Sequence, residues 1–219
     1  MSGIMYDYME NYLRNLIKED NEILLHMEEY AKQNGVPIVQ KETANFLKLM
    51  IELKRPKRIL ELGTAIGYSS ILMKQASKEN VHITTIERDP NMISKAKENL
   101  KKYGFEQAIE IKEGECEEIL KNLCDTKVPP YDLIFMDAGK GHYNHFLPYC
   151  LELLNKDGVI VADNVLFRGM VPSDELLVRR KITIVKRMRT YLEEVNDNEK
   201  FITSVLPMGD GIAVTVRRD

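Results

Sequence analysis

The chain has 219 residues, 44% hydrophobic and 30% charged, which gives enough apolar content to bury a core and excludes disorder as an overall description. Its 31 Lys and Arg against 34 Asp and Glu leave a net charge of -3, so bulk electrostatic capture of nucleic acid or of an anionic membrane is not expected. Twelve Gly and eight Pro exclude collagen-like and low-complexity classes, and the 3 cysteines, Cys116, Cys124 and Cys150, form no CxxC pair, which speaks against a disulfide framework or a zinc finger.

The N-terminal stretch MSGIMYDYMENY carries Asp7 and Glu10 where a signal peptide needs an apolar run. No later stretch reaches the roughly 18 apolar residues of a membrane span. A cytoplasmic protein with no membrane partner is expected. Residues 4 to about 53 read as helices, because Tyr8, Tyr12, Leu13 and Leu16 recur at helical spacing, as do Leu24, Met27 and Ala31, then Phe46, Leu47, Met50 and Leu53. The segment from Gly35 to Lys41, with Pro37, interrupts them.

From Arg58 onward short β-branched runs alternate with amphipathic stretches. The predicted strands are RILEL (58–62), HITTIE (82–87), IEIKE (109–113), YDLIFMD (131–137) and GVIVAD (158–163), and the helices between them begin near Tyr68, Pro90, Glu115 and Tyr143. Such alternation implies βαβ units with right-handed crossovers and a parallel sheet covered on both faces. A long charged helix is predicted at about 174–195, followed by FITSVL and IAVTV joined by PMGDG, a hairpin closing one sheet edge. The expected fold is one doubly wound, Rossmann-like α/β domain over 1–219, with a helical segment at 1–53 and the ligand-binding core at 54–219.

In an open α/β sheet the ligand crevice lies beyond the carboxyl ends of the strands. Four of the five strand ends carry a carboxylate: Glu61, Glu87, Asp137 and Asp163. The first loop, ELGTAIG, offers Gly63 and Gly67 for close backbone approach, but it is not GxGxxG, and Glu61 stands where a pyrophosphate would be repelled. This argues against a dehydrogenase. Glu87, 24 residues after Gly63, is placed to accept from two ribose hydroxyls. An adenosine-like ligand ending in an amino-acid-bearing sulfonium, S-adenosylmethionine, meets both demands. Asp137, Asp163 and Asn164 offer three hard oxygen ligands suited to Mg2+, or to a similar cation such as Mn2+, with water or substrate in the remaining positions. Beside a bound dication in a partly closed cleft, Lys140 is a candidate general base in its uncharged form. Each of these residues also has an ordinary reading as a turn, a cap or a solvated side chain; their grouping on neighbouring strand ends favours function.

Together, ELGTAIGYSS, TIERDP, EGEC, FMDAGKGHY and ADNVL, in this order and spacing, resemble the cation-dependent class I O-methyltransferases, the group of catechol and caffeoyl-CoA O-methyltransferases. The match runs from about Val36 to the C-terminus. The resemblance implies a seven-stranded sheet, S-adenosylmethionine as methyl donor, Asp137, Asp163 and Asn164 as metal ligands and Lys140 as base. Cofactor contacts carry over to Val39, Glu61, Gly63, Ser69, Glu87, Cys116 and Asp137. The sequence departs from the family at Ala65, which replaces a common glycine, at Gly139, where plant enzymes have an acid, at Cys116, where Ala is common, and in having no Trp. The family chemistry asks for two adjacent oxygens that chelate the metal, one of them ionisable, as in a catechol or in 5-hydroxyuridine.

Charge distribution separates these candidates. Residues 167–191 carry seven bases, Arg168, Arg179, Arg180, Lys181, Lys186, Arg187 and Arg189, against Asp174 and Glu175. Acidic segments at 1–30 and 106–125 mask this basic stretch in the net charge. Arg168 is expected at the cleft mouth, with Arg179, Arg180 and Lys181 as an RNA-contacting surface; the alternative is the solvated face of a helix buried through Ile182, Val185, Met188 and Leu192. In overall pattern the chain resembles bacterial tRNA 5-hydroxyuridine O-methyltransferases, which implies an anticodon-loop tRNA substrate at the wobble position. DNA is not expected as a partner. Small catechol-like or caffeoyl-CoA-like diols are the alternative substrates. A non-catalytic RNA-binding relative is disfavoured because Asp137, Lys140 and Asp163 are all present. The resemblance also implies a homodimer, although Tyr8, Tyr12 and Leu16 suit a dimer face and an intramolecular core equally.

Overall fold

The computed structural model describes residues 4–19, 21–78 and 80–218. Three helices come first: α1 (Asp7–Leu16), α2 (Glu22–Asn34) and α3 (Lys41–Lys54). Asn21 caps α2 by accepting from the amides of Ile23 and Leu24, and Gly35 ends the helix in the left-handed conformation. α2 and α3 bury Leu24, Met27, Ala31, Leu47 and Ile51 against the sheet. By contrast Tyr8, Tyr12 and Leu16 of α1 are 70%, 63% and 61% exposed, so they do not join the core.

The alternating part contains β1 (Arg58–Leu62), α4 (Tyr68–Ala76), β2 (His82–Glu87), α5 (Pro90–Tyr103), β3 (Ile109–Glu113), α6 (Cys116–Asp125), β4 (Tyr131–Met136), α7 (Tyr143–Leu153) and β5 (Leu154–Asp163). After α8 (Ile182–Val195) the chain ends in β6 (Phe201–Leu206) and β7 (Ile212–Arg217). The seven strands form one sheet in the order β3-β2-β1-β4-β5-β7-β6. β1 to β5 are parallel, and β7 runs antiparallel to both β5 and β6. Strand alternation sends Ile59, Leu133, Phe135, Val159 and Val161 to the face covered by α2 to α5. Leu60, Leu62, Ile134, Met136 and Ile160 pack on the other face under α6 to α8. The strand order reverses between β1 and β4, which opens a crevice at their carboxyl ends.

Two predicted elements are corrected. The helix expected over 174–195 begins only at Ile182, since Asp174–Leu176 and Arg179–Lys181 are separate 3-10 turns divided by extended Leu177 and Val178. β5 starts at Leu154, four residues before the predicted strand, because exposed Asn155, Lys156 and Asp157 extend it with no apolar pattern to reveal them. No helix among the described residues is long and apolar enough to cross a membrane.

Candidate functional site

A cleft of about 1530 Å³ opens over the carboxyl ends of β1, β2, β4 and β5. Its walls include Val39, Gly63, Glu87, Cys116, Asp137, Lys140, Asp163, Asn164, Arg168, Arg180 and Lys181, so eleven of the residues singled out in the sequence meet in one place. Glu61 and Ser69, the latter in the first turn of α4, are buried behind the wall, and exposed Arg179 is not one of the lining residues.

The first wall is the turn from β1 into α4. Gly63 has φ +101, and a Cβ there would stand 2.9 Å from the carbonyl oxygen of Asp137, so only glycine allows the β1 and β4 ends to approach this closely. Ala65, where the family often has glycine, adopts φ 45, and its amide donates to Glu87 Oε2 at 2.9 Å. Glu87 Oε1 in turn accepts from the amides of Arg88 and Asp89 at 2.8 and 3.0 Å. The carboxylate is thereby fixed at the end of β2, facing the cleft.

Glu61 braces this turn from behind. Its Oε2 accepts from the hydroxyls of Ser70 and of Thr85, the latter at 2.6 Å. Burial raises the Glu61 carboxyl above the usual range, against the stabilising hydroxyls of Ser69, Ser70 and Thr85. Burial, then the charges of Glu87 and Glu115, push the Cys116 thiol up to about 12. The Cys116 thiol is therefore held in its neutral form on the cleft wall.

The second wall contains the ends of β4 and β5. Asp137 follows the last residue of β4, and Asp163 ends β5. The Tyr143 hydroxyl, 2.9 Å from the carbonyl of Met136 and 3.1 Å from that of Asp163, is shared between the two strand ends. Asp137 is raised well above the usual carboxylate range by burial and then by the charge of Asp163, with Lys140 opposing. Burial also lifts Asp163, to about 6, against the Asn164 amide that donates to its Oδ1 at 2.6 Å.

Asp210, in the β6–β7 turn, is a third buried carboxylate on this wall, raised by burial and offset by Arg168 and Lys140. In the sequence it is one residue of the PMGDG turn, where no pattern marks it as part of a site. Asp163 repels both Asp137 and Asp210, all three have Lys140 as a nearby cation, and Asp137, Asp163 and Asn164 offer hard oxygen donors of the kind Mg2+ or Mn2+ takes. Among the described residues no group of three or more His, Cys, Asp or Glu side chains is gathered around one point. The Asn164 amide would be the third protein donor of such a set.

Beyond Asp163 the backbone is tightly turned. Asn164, Phe167, Arg168 and Gly169 have φ of 61, 42, 56 and 75. For Phe167 and Arg168 this conformation costs on the order of 1 kcal/mol each. The following basic run divides by what it contacts. Arg187 donates to the carbonyl of Gly141 at 3.1 Å, next to Lys140. Arg189 donates to the carbonyl of Val171 at 2.8 Å and pairs with Asp174 at 2.7 Å. These two arginines tie α8 to the site loops. Arg168 and Arg180 stay exposed on the cleft, and Lys181 Nζ sits 5.7 Å from the ring centre of Phe167.

A family model described as O-methyltransferase matches residues 14–218. The chain is 32% identical over 173 residues to a catechol O-methyltransferase of Niastella koreensis, covering 78% of each chain. A crystal structure from Staphylococcus aureus, provisionally named a caffeoyl-CoA O-methyltransferase, superposes with a TM-score of 0.87 at 36% identity, over 97% of this chain and 100% of that one. The O-methyltransferase TomG of Streptomyces achromogenes, which takes part in tomaymycin synthesis and was crystallised with S-adenosylmethionine, gives a TM-score of 0.81 at 25% identity, over 98% and 100% of the two chains.

Proposed function

The chain belongs to the O-methyltransferase family, and from that premise we propose that it transfers the methyl group of S-adenosylmethionine to one hydroxyl of a vicinal oxygen pair on a small catechol-type or caffeoyl-CoA-type substrate. The observation that carries the reading is the meeting of Lys140 with Asp137, Asp163 and Asn164 in the cleft whose other wall is Gly63, Ala65 and Glu87. When bound, the donor supplies an electrophilic methyl, and a divalent cation supplies charge that makes a chelated hydroxyl easier to deprotonate. Asp137, Asp163 and Asn164 would hold the cation. Glu87 accepts from the ribose hydroxyls, Val39 and Cys116 give apolar contacts, and Gly63 allows close approach of the donor to the backbone. With a cation bound beside it, Lys140 in its uncharged form would take the substrate proton at Nζ, and the freed oxygen would accept the donor's methyl group while the donor leaves as a thioether. Glu61 and Ser69 act from behind, by holding the shape of the turn.

A second substrate, 5-hydroxyuridine in the anticodon loop of a tRNA, is favoured by one observation: Arg168, Arg180 and Lys181 line the cleft, with exposed Arg179 beside them. Cations at a cleft mouth suit a phosphate backbone that presents a splayed base. Purified protein with S-adenosylmethionine and Mg2+ is offered a catechol and, separately, hydroxyuridine-containing tRNA, with methylated product read by mass spectrometry. Methylation of the catechol that is abolished by EDTA and retained in an Arg180→Ala, Lys181→Ala double variant is the expected result. Efficient methylation of tRNA alone, lost in that double variant, moves the substrate to the second reading. Transfer to neither overturns the vicinal-oxygen reading.

A further inference from the structure

The segment 164–169 places four of its six residues in the left-handed region, and only one of the four is glycine. Something outside the segment has to hold it there, because a free loop of this sequence relaxes to φ below zero. Residues 209–211, more than 40 positions later in the chain, meet it along its backbone. The Val165 amide donates to the carbonyl of Gly211 and the Leu166 amide to that of Asp210, both at 3.0 Å. The Arg168 amide donates to Asp210 Oδ1.

Contact is close enough to dictate residue type. A Cβ on Gly211 would stand 2.4 Å from Leu166 Cγ and 2.8 Å from its backbone nitrogen, and Gly211 itself has φ +88. Asp210 is 7% exposed and stands on the cleft wall near Asn164 and Arg168. Its Oδ1 faces the Arg168 amide, an interaction that asks for an acceptor and not for a charge.

We propose that the β6–β7 turn is a template that imposes the conformation of 164–168, and that Asp210 is a positioning residue for Asn164 and Arg168 and not itself a cation ligand. The link to the cation rests on the reading of Asn164 as a ligand given above. The template explains how a segment with non-glycine residues at unfavourable φ is kept in one shape. Cation and substrate contacts from Asn164 and Arg168 then need no further ordering when a ligand arrives.

The test compares the full-length wild type with Asp210→Asn and Asp210→Ala in two assays: amide hydrogen exchange across 164–170, and Mn2+ binding by calorimetry without S-adenosylmethionine. Loss of a buried acceptor in Asp210→Ala is expected to raise exchange of the Arg168 amide and to weaken Mn2+ binding by about tenfold or more. Asp210→Asn keeps an oxygen acceptor and is expected to stay within about threefold of wild type in both assays. Wild-type exchange in Asp210→Ala overturns the template. Mn2+ binding damaged as much by Asn as by Ala overturns the positioning role and makes the Asp210 charge a direct ligand. If the wild type binds no Mn2+, the reading of Asn164 as a ligand falls, and the exchange arm still decides the template. Should Asp210→Ala not fold, Asp210→Ser, which shortens the acceptor, is read in its place with the same expected direction.

Discussion

The wall of the cleft made by the ends of β1, β2 and β3 puts three of its left-handed residues on glycine, at Gly63, Gly67 and Gly114, with Ala65 as the exception. The wall beyond β5 puts three of four on Asn164, Phe167 and Arg168. The first wall is held mainly by the strand ends it belongs to: Gly63 donates to the carbonyl of Ile86, Asp137 to that of Leu62, and Ala65 to Glu87. The second depends on chain far away, on the 209–211 turn and on Arg189 of α8. The wall proposed for the donor is thus built from local geometry, whereas the wall proposed for the substrate is assembled from several loops remote in sequence.

Lys140 stands where the two walls meet, and its removal should have the largest effect. Lys140→Ala is expected to lower kcat by about 10²- to 10⁴-fold, the usual contribution of a positioned base. Calorimetric affinity for S-adenosylhomocysteine should stay near wild type, since none of the proposed donor contacts is Lys140. A variant that keeps more than a tenth of wild-type turnover removes Lys140 from the chemistry.

A change confined to the first wall should separate the two halves kinetically. Glu87→Ala removes the carboxylate that steadies Ala65 and is proposed to accept from the ribose, and it is expected to raise KM for S-adenosylmethionine by about 10- to 100-fold. Here kcat should change by less than about threefold, because the loss is of uniform binding. Initial rates over a range of donor concentrations give the split. A fall in kcat with KM unchanged contradicts the assignment of Glu87 to the donor and couples the walls more tightly than their hydrogen bonds indicate.

The same contrast governs what the sequence discloses. RILEL, HITTIE and IEIKE coincide with β1, β2 and β3: the first two are largely buried runs, and the third, at the sheet edge, alternates Ile with charged residues. The candidate residues at their ends follow from the rule that ligands lie at the carboxyl edge, and Glu87, Asp137 and Asp163 do face the cleft. On the other side, 174–181 reads as the start of a helix because its charges continue the polar face of α8, yet extended Leu177 and Val178 break it. Arg187 and Arg189 look like solvated bases until their carbonyl partners, 46 and 18 residues away, are known. Asp210 sits in PMGDG, where Gly, Asp and Gly already explain a turn, and its partner Arg168 is 42 residues distant. Residues whose purpose lies in a contact remote in sequence leave no periodic trace.

The second wall should also carry a measurable cost in the metal-free protein. Asp163 is buried with its carboxyl lifted to about 6, and Asp137 beside it is raised in part by its charge. A carboxyl with a folded-state value above its unfolded one, ordinarily about 3.9, favours folding when protonated. That benefit is complete below the unfolded value and disappears as pH rises through about 6, so at pH 8 the ionised group opposes folding. Asp163→Asn keeps an acceptor for the Asn164 amide, now 2.6 Å away, while removing the charge and relieving Asp137. In EDTA at pH 8 this variant is therefore expected to melt a few degrees above wild type, and the gap should close as pH is lowered from 7 to 4. Saturating Mg2+ should reverse the order, because only the wild type gains binding energy from the cation. Equal melting temperatures at pH 8 in EDTA, or a gap that does not respond to pH, would mean that the crowded carboxylates carry no strain and that the second wall is no more costly than the first.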